Sequence, residues 1–204
     1  MGCDIHMYVE YKKEMPIKGV QQQKWVSGDY FKHNPYKGID YDDEFFRIEL
    51  YGNRNYALFA TLAGVRDYSE LNKPVSEPKG MPDDCCEFVK KECDGWDIDG
   101  HTHSWLTLKE IKDYQAKSPT FQTSGLINPE AVIEFDKNGT IPKAWCQYTN
   151  MEGWERRNWS EPNETLLPLI ELLQQRAHEL LQYKWHEYDT ANDENIRIVF
   201  WFDN

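Results

Sequence analysis

Residues 3–11, CDIHMYVEY, alternate without interruption: Cys3, Ile5, Met7, Val9 and Tyr11 fall on one side, Asp4, His6, Tyr8 and Glu10 on the other. A period of two over nine residues predicts a strand with one face in a core. The far end, NIRIVFWFD, repeats the pattern with Ile196, Ile198, Phe200 and Phe202 inward and Arg197 outward. Its outward set also holds Val199 and Trp201, so that face needs a cover. The matching alternation predicts that the two ends of the chain pair as neighbouring strands.

The period changes between them. KWV (24–26) and FFRIEL (45–50) are short strand candidates, and DYDDE (40–44) reads as an acidic turn. NRNYALFATLAGV (53–65) predicts a short helix capped by Asn53 and closing near Gly64. DDCCEFVKKE (83–92) predicts a second, led by Pro82 and by Asp83 and Asp84, which suit a helix amino terminus. Thr107 with Glu110 three residues on is a capping box for a third. The strongest helix lies in 160–182, where Leu166, Leu169, Ile170, Leu173, Ala177 and Leu180 form one apolar stripe. Pro168 moves its expected start towards Leu167. The segment 145–159, WCQYTNMEGWERRNW, reads as a hairpin turning at Glu152–Gly153. Together these elements predict one α+β domain over residues 1–204: a mostly antiparallel sheet containing both terminal strands, packed by the long C-terminal helix and several short helices.

Composition narrows the function classes. A formal charge of −12 excludes a surface that grips duplex nucleic acid by neutralising phosphates. A small anionic ligand held by two or three local arginines remains open. No apolar run is long enough to span a bilayer, and the amino terminus lacks a signal-peptide pattern, so a cytoplasmic protein is expected. Five cysteines without a C-x-x-C spacing predict neither a disulfide framework nor a zinc ribbon.

Candidate chemistry concentrates in DIDGHTHSW (97–105) and in its smaller echo, Asp4 and His6. His101 and His103, two residues apart, share one side of an extended segment and can reach one divalent ion. With Asp4, His6 and Asp99 they would make a metal set, for which a transition ion such as Zn²⁺ suits imidazole. Calcium does not fit, because the distal Glu of an EF-hand loop is misplaced. Without metal, His6, His101 and His103 are the candidate acid–base groups. Arg54 and Arg66, with Tyr56 and Trp105, are candidates for holding an anionic, ring-bearing ligand. For each residue the plainer role is also open: ion pairs for the arginines, core packing for the rings. If the histidines do not converge, the Trp-rich segment around Arg156 is the next candidate.

MGCDIH (1–6), RNYALFA…AGVR (54–66), SEPKGMPDD (76–84) and HTHSW (101–105) together resemble a family of small uncharacterised bacteriophage proteins. The family's box reads HSHSW; here Thr102 replaces Ser and keeps the hydroxyl. The resemblance covers residues 1–11 and 52–116. It implies a phage origin and a place in the cytoplasm of an infected bacterium. The expected function is a His/Asp-lined pocket that binds a nucleotide or other phosphorylated small molecule, with its hydrolysis as the candidate reaction. The alternative is a non-enzymatic anti-defence protein that sequesters a signalling nucleotide or blocks a host defence protein.

Overall fold

The computed structural model describes residues 2–17, 20–38, 44–182 and 192–204. The acidic stretch expected to form a turn falls, apart from Glu44, outside them. In chain order the strands are β1 (Asp4–Ile17), β2 (Val20–Ser27), β3 (Tyr30–His33), β4 (Phe45–Ile48), β5 (His101–Thr107), β6 (Thr120–Ile127), β7 (Glu155–Pro162) and β8 (Ile196–Asp203). The helices are α1 (Tyr56–Ala63), α2 (Glu87–Asp94), α3 (Leu108–Lys117), α4 (Pro129–Asn138) and α5 (Leu167–Gln182). The fold is α+β. Its main sheet is antiparallel, in the order β2–β1–β8–β5, and two-stranded pairs β3–β4 and β6–β7 lie outside it.

The terminal strands pair from Asp4↔Asp203 to Tyr11↔Ile196. Their inward residues build the main core with Leu58, Phe59 and Leu62 of α1, Leu108 and Ile111 of α3, and Leu169, Leu173 and Ala177 of α5. The opposite face is covered too. Tyr8, Val199 and Trp201 pack there under Val89 and Phe88 of α2, with Met81, Trp96 and Trp105 around them. The apolar outward residues of β8 therefore have the cover that their composition requires.

Several element ends differ from expectation, each for a local reason. Asn55, not Asn53, caps α1, its side chain accepting from the Leu58 amide at 3.2 Å. Helix α2 begins only at Glu87, because Cys85 closes a turn onto the Pro82 carbonyl and the Cys86 amide donates to Glu10. Asp84 is drawn away to Trp25 and Arg197. The capping box at Thr107 and Glu110 is present, and α5 starts at Leu167. The hairpin expected within 145–159 does not form: β7 pairs instead with β6, from Thr120↔Pro162 to Ile127↔Glu155.

Where β2 leaves β1, a buried Asp29 takes over as backbone partner, its Oδ1 accepting from the Val9 amide at 3.2 Å. Arg176 of α5 donates from Nε to the Gly28 carbonyl at 2.6 Å, which fastens the long helix to this corner. Arg47 Nε lies 3.1 Å from Asp29 Oδ2, yet neither atom has a hydrogen-bond partner. The attraction is thus electrostatic and poorly directed, and burial prevails over it, raising the Asp29 carboxyl to about 6.

Two outcomes are expected. Ile198→Asp places an unpaired carboxylate in the main core, where Ile198 has no exposure; a penalty of several kcal/mol against a total of about 5–15 should abolish the cooperative urea transition. A raised folded-state value for Asp29 means that its contribution is fully present below its ordinary value of 3.8 and is lost as pH rises through about 6. In Asp29→Asn that part of the pH slope between about 4 and 6 should disappear, as read by denaturant titrations across the interval; an unchanged slope would show that Asp29 titrates normally.

Candidate functional site

The His/Asp box is an edge strand of the main sheet and not a loop folded across it. Asp97–Asp99 form one 3₁₀ turn with both carboxylates exposed. Gly100 then allows a close approach: a Cβ there would stand 3.3 Å from His103 Nε2 and from Trp96 Cβ. The strand β5 contains a bulge, three steps from His101 to Ser104 matching two from Phe202 to Phe200 on β8. Thr102 sits in it with φ 54°, and its hydroxyl lies 2.8 Å from His101 Nδ1.

That extra residue decides the fate of the two imidazoles. His101 pairs with Phe202 and lies over its ring, on the side of the main core. His103 stacks on Trp201, on the side covered by α2. A regular strand would have placed them on one side; the bulge shifts the alternation by one and separates them. His6 joins His103's side as part of an aromatic stack, with ring centroids 3.9 Å from Trp96 and 5.9 Å from Trp201. Its Nε2 is 3.2 Å from Asp203 Oδ2. Burial, then the neighbouring His101, holds the His103 imidazole below its usual value.

The residues of the expected metal set are not brought together. Among the described residues no three His, Cys, Asp or Glu side chains are grouped to hold an ion. Asp4 is committed to Arg54 through two bonds, Nε–Oδ1 at 2.8 Å and Nη2–Oδ2 at 2.5 Å. Asp99 is exposed on the 3₁₀ turn, and His101 and His103 face opposite ways. The three histidines are divided as candidate acid–base groups too: His6 and His103 rest on Trp201, His101 on Phe202. Arg54, expected as an anion contact at the α1 amino terminus, serves as the partner of Asp4. Trp105 lies between Lys79, 4.0 Å from its ring centroid, and Arg197, at 5.4 Å, away from Tyr56 and Arg66.

Tyr56 and Arg66 do share a site. Both line a cleft of about 270 Å³ between α1 with its following loop and the β6–β7 pair. Tyr68, Phe121 and Trp145 add three rings, and Gln122, Ser124 and Gln147 supply polar groups. The walls are tied together. Asp67 accepts from Ser69 and Asn72, and the Asn72 side chain bonds both the amide and the carbonyl of Gln122, each at 2.8 Å. This side chain does for β6 what a neighbouring strand would do. Gly64 ends α1 in the left-handed conformation with a doubled cap, after which Arg66 itself takes φ 61°. That conformation costs a non-glycine residue about 1 kcal/mol. Arg66 Nη2 donates to Asn204 at 2.9 Å, and the guanidinium lies 6.0 Å from the Tyr56 ring centroid.

The far wall comes from the Trp-rich segment. Backbone bonds of 2.8 and 3.1 Å between Leu126 and Cys146 lay residues 145–147 along β6. Arg156 holds this strip from behind, donating to the Gln147 carbonyl at 2.8 Å and to Ser124 Oγ at 3.2 Å. Arg157 is taken up by Asp136 and Glu155. Asp67 and Glu161, the acids of the cleft, are themselves hydrogen bonded, Glu161 to the Trp159 indole.

His6 and His103 should therefore behave as packing groups. His6→Ala and His103→Ala should each lower stability by about 1–2 kcal/mol, since each removes a stacked ring and His6 also a charge-assisted hydrogen bond. The pair should be non-additive, because both rings rest on Trp201. Additive losses, or variants as stable as the parent, would contradict this. Comparison with protein-family models, curated proteins and solved structures gives no match to this chain.

Proposed function

We propose that the protein binds a small anionic molecule carrying a ring, of the nucleotide class, in the cleft lined by Tyr56 and Arg66, and holds it without turnover. One observation carries the reading: a guanidinium and four aromatic side chains converge on one concave, cross-braced surface. Mostly apolar walls with a few placed polar groups are what small-molecule sites require. Arg66 lines the cleft, and Arg156 behind it on Ser124 and Gln147 helps to offset the Asp67 and Glu161 carboxylates. No histidine lines the cleft, and its carboxylates are already engaged, which favours binding over hydrolysis.

The phage resemblance gives this binding a setting: sequestration of a host signalling nucleotide in the infected cell. No helix among the described residues is long and apolar enough to cross a membrane.

Thermal shift and calorimetry with nucleoside mono- and diphosphates test the proposal, with chromatography of the recovered ligand. A raised melting temperature and unaltered ligand are expected. Arg66→Ala should weaken binding about tenfold or more, the worth of one charge-assisted hydrogen bond, and high salt should weaken it in the parent. Release of phosphate at a steady rate, or binding indifferent to Arg66, would overturn it.

A further inference from the structure

Gly125 stands in the middle of β6, opposite Arg157, where glycine weakens a strand and contributes no side chain. Its reason is visible above it. A Cβ at this position would lie 2.7 Å from Trp145 Cε3, 2.9 Å from Cδ2 and 3.1 Å from Cβ. The first two belong to the fused ring system, which cannot swing aside as a flexible chain end does. One face of the Trp145 indole therefore rests on bare strand backbone.

The ring is fixed in other ways. Trp159 meets it edge-on at 5.9 Å and 74°. The adjacent Cys146 is bonded to Leu126 in both directions. Yet Trp145 remains 43% exposed and lines the cleft. A large apolar ring held flat, immobilised before any ligand arrives and half open to solvent loses little entropy on stacking. Of the two rings in contact, Trp159 is the buried one, and Trp145 is the one left facing the cleft.

We infer that Trp145 is a stacking platform for a nucleobase-like ring, placed by Gly125, with the ligand's phosphate directed to Arg66 across the cleft. The inference rests on the cleft being the binding site and adds the ligand's class: a mononucleotide. A space of about 270 Å³ lies at the small end of ligand sites, which matches a ligand of mononucleotide size. Tyr56, Tyr68 and Phe121 supply the remaining apolar wall.

The probes are AMP, GMP, CMP and UMP, with ribose 5-phosphate as the same anion lacking a base. The wild-type chain should prefer at least one nucleoside monophosphate over ribose 5-phosphate by about ten- to a hundredfold, the range expected for one stacked base. Trp145→Ala should erase that preference and leave ribose 5-phosphate affinity within about twofold. Trp145→Phe, which keeps a ring, should retain part of it. Gly125→Ala should reproduce the loss with Trp145 still present, since the added methyl lifts the indole from the strand. Melting curves accompany each variant; if Trp145→Ala unfolds, the Phe variant carries the comparison. Equal binding of ribose 5-phosphate and every nucleotide overturns the platform and leaves the cleft reading intact. A preference that survives in Trp145→Ala, or in a folded Phe variant at full strength, also overturns it. Absence of binding by all five probes overturns the platform, and if nucleoside diphosphates also fail to bind the cleft reading falls with it.

Discussion

Glu10 and Arg197 face each other across β1 and β8 with almost no exposure, 0% and 1%, so the two ends of the chain are joined through charges buried inside the structure. Removing either partner would strand the other, a cost of roughly 3–5 kcal/mol, and any slip of register would do the same. The pair also organises what surrounds it. Glu10 Oε1 takes the Cys86 amide at 2.6 Å and so sets the start of α2, the cover of the second sheet face. Arg197 reaches Asp84 at 2.9 Å and lies 3.9 Å from the Trp25 ring centroid, with Trp105 of β5 on its other side. Terminal register, covering helix and edge strand thus depend on one buried contact, whose value lies as much in excluding other arrangements as in its net energy.

The elements legible in the sequence are those whose stabilisation is local or periodic. The strands β1 and β8 alternate cleanly, α3 announces itself by Thr107 and Glu110, and the α5 stripe points into the core over four turns. What escaped reading depends on distant partners. The start of α2 is set by Glu10, 76 residues away. The β6 segment, TFQTSGLI, mixes polar residues and glycine because half of it serves a cleft and not a core. Only α4 was missed despite local signals, with Asn128 at its cap, Pro129 in its first turn and Gly139 at its end.

The site was half legible, and the reason is one residue of backbone. A regular β5 would place His101 and His103 side by side; the bulge at Thr102 turns them to opposite faces, where each finds a ring on β8. Nothing in a single sequence marks that insertion beyond the Gly–His–Thr crowding itself. Tyr56 and Arg66 were identified by residue type and then found together, whereas Gln122, Ser124 and Trp145 have no sequence signal tying them to α1. Gly125 inside an otherwise strand-like run is the nearest to one, since a strand glycine marks a close approach.

The position of the cleft follows from how completely the main sheet is enclosed. Every residue of β8 from Ile196 to Phe202 is buried, with helices α1, α3 and α5 on one side and α2 on the other. The centre of the sheet is therefore closed to a ligand, and the cleft lined by Tyr56 and Arg66 lies at a seam beside it. Polar ties fasten the β6–β7 pair to the rest of the fold: Asn72, in the chain after α1, to Gln122, and Gln115 of α3 to the Asn163 carbonyl. Such ties fix geometry while contributing modest net energy, about 1 kcal/mol each. A molecule bridging Arg66 on one side and Trp145 on the other would add to the same set of ties. Its binding energy would be expressed as cohesion of the β6–β7 pair with the rest of the fold, so recognition and local stability are coupled at this seam.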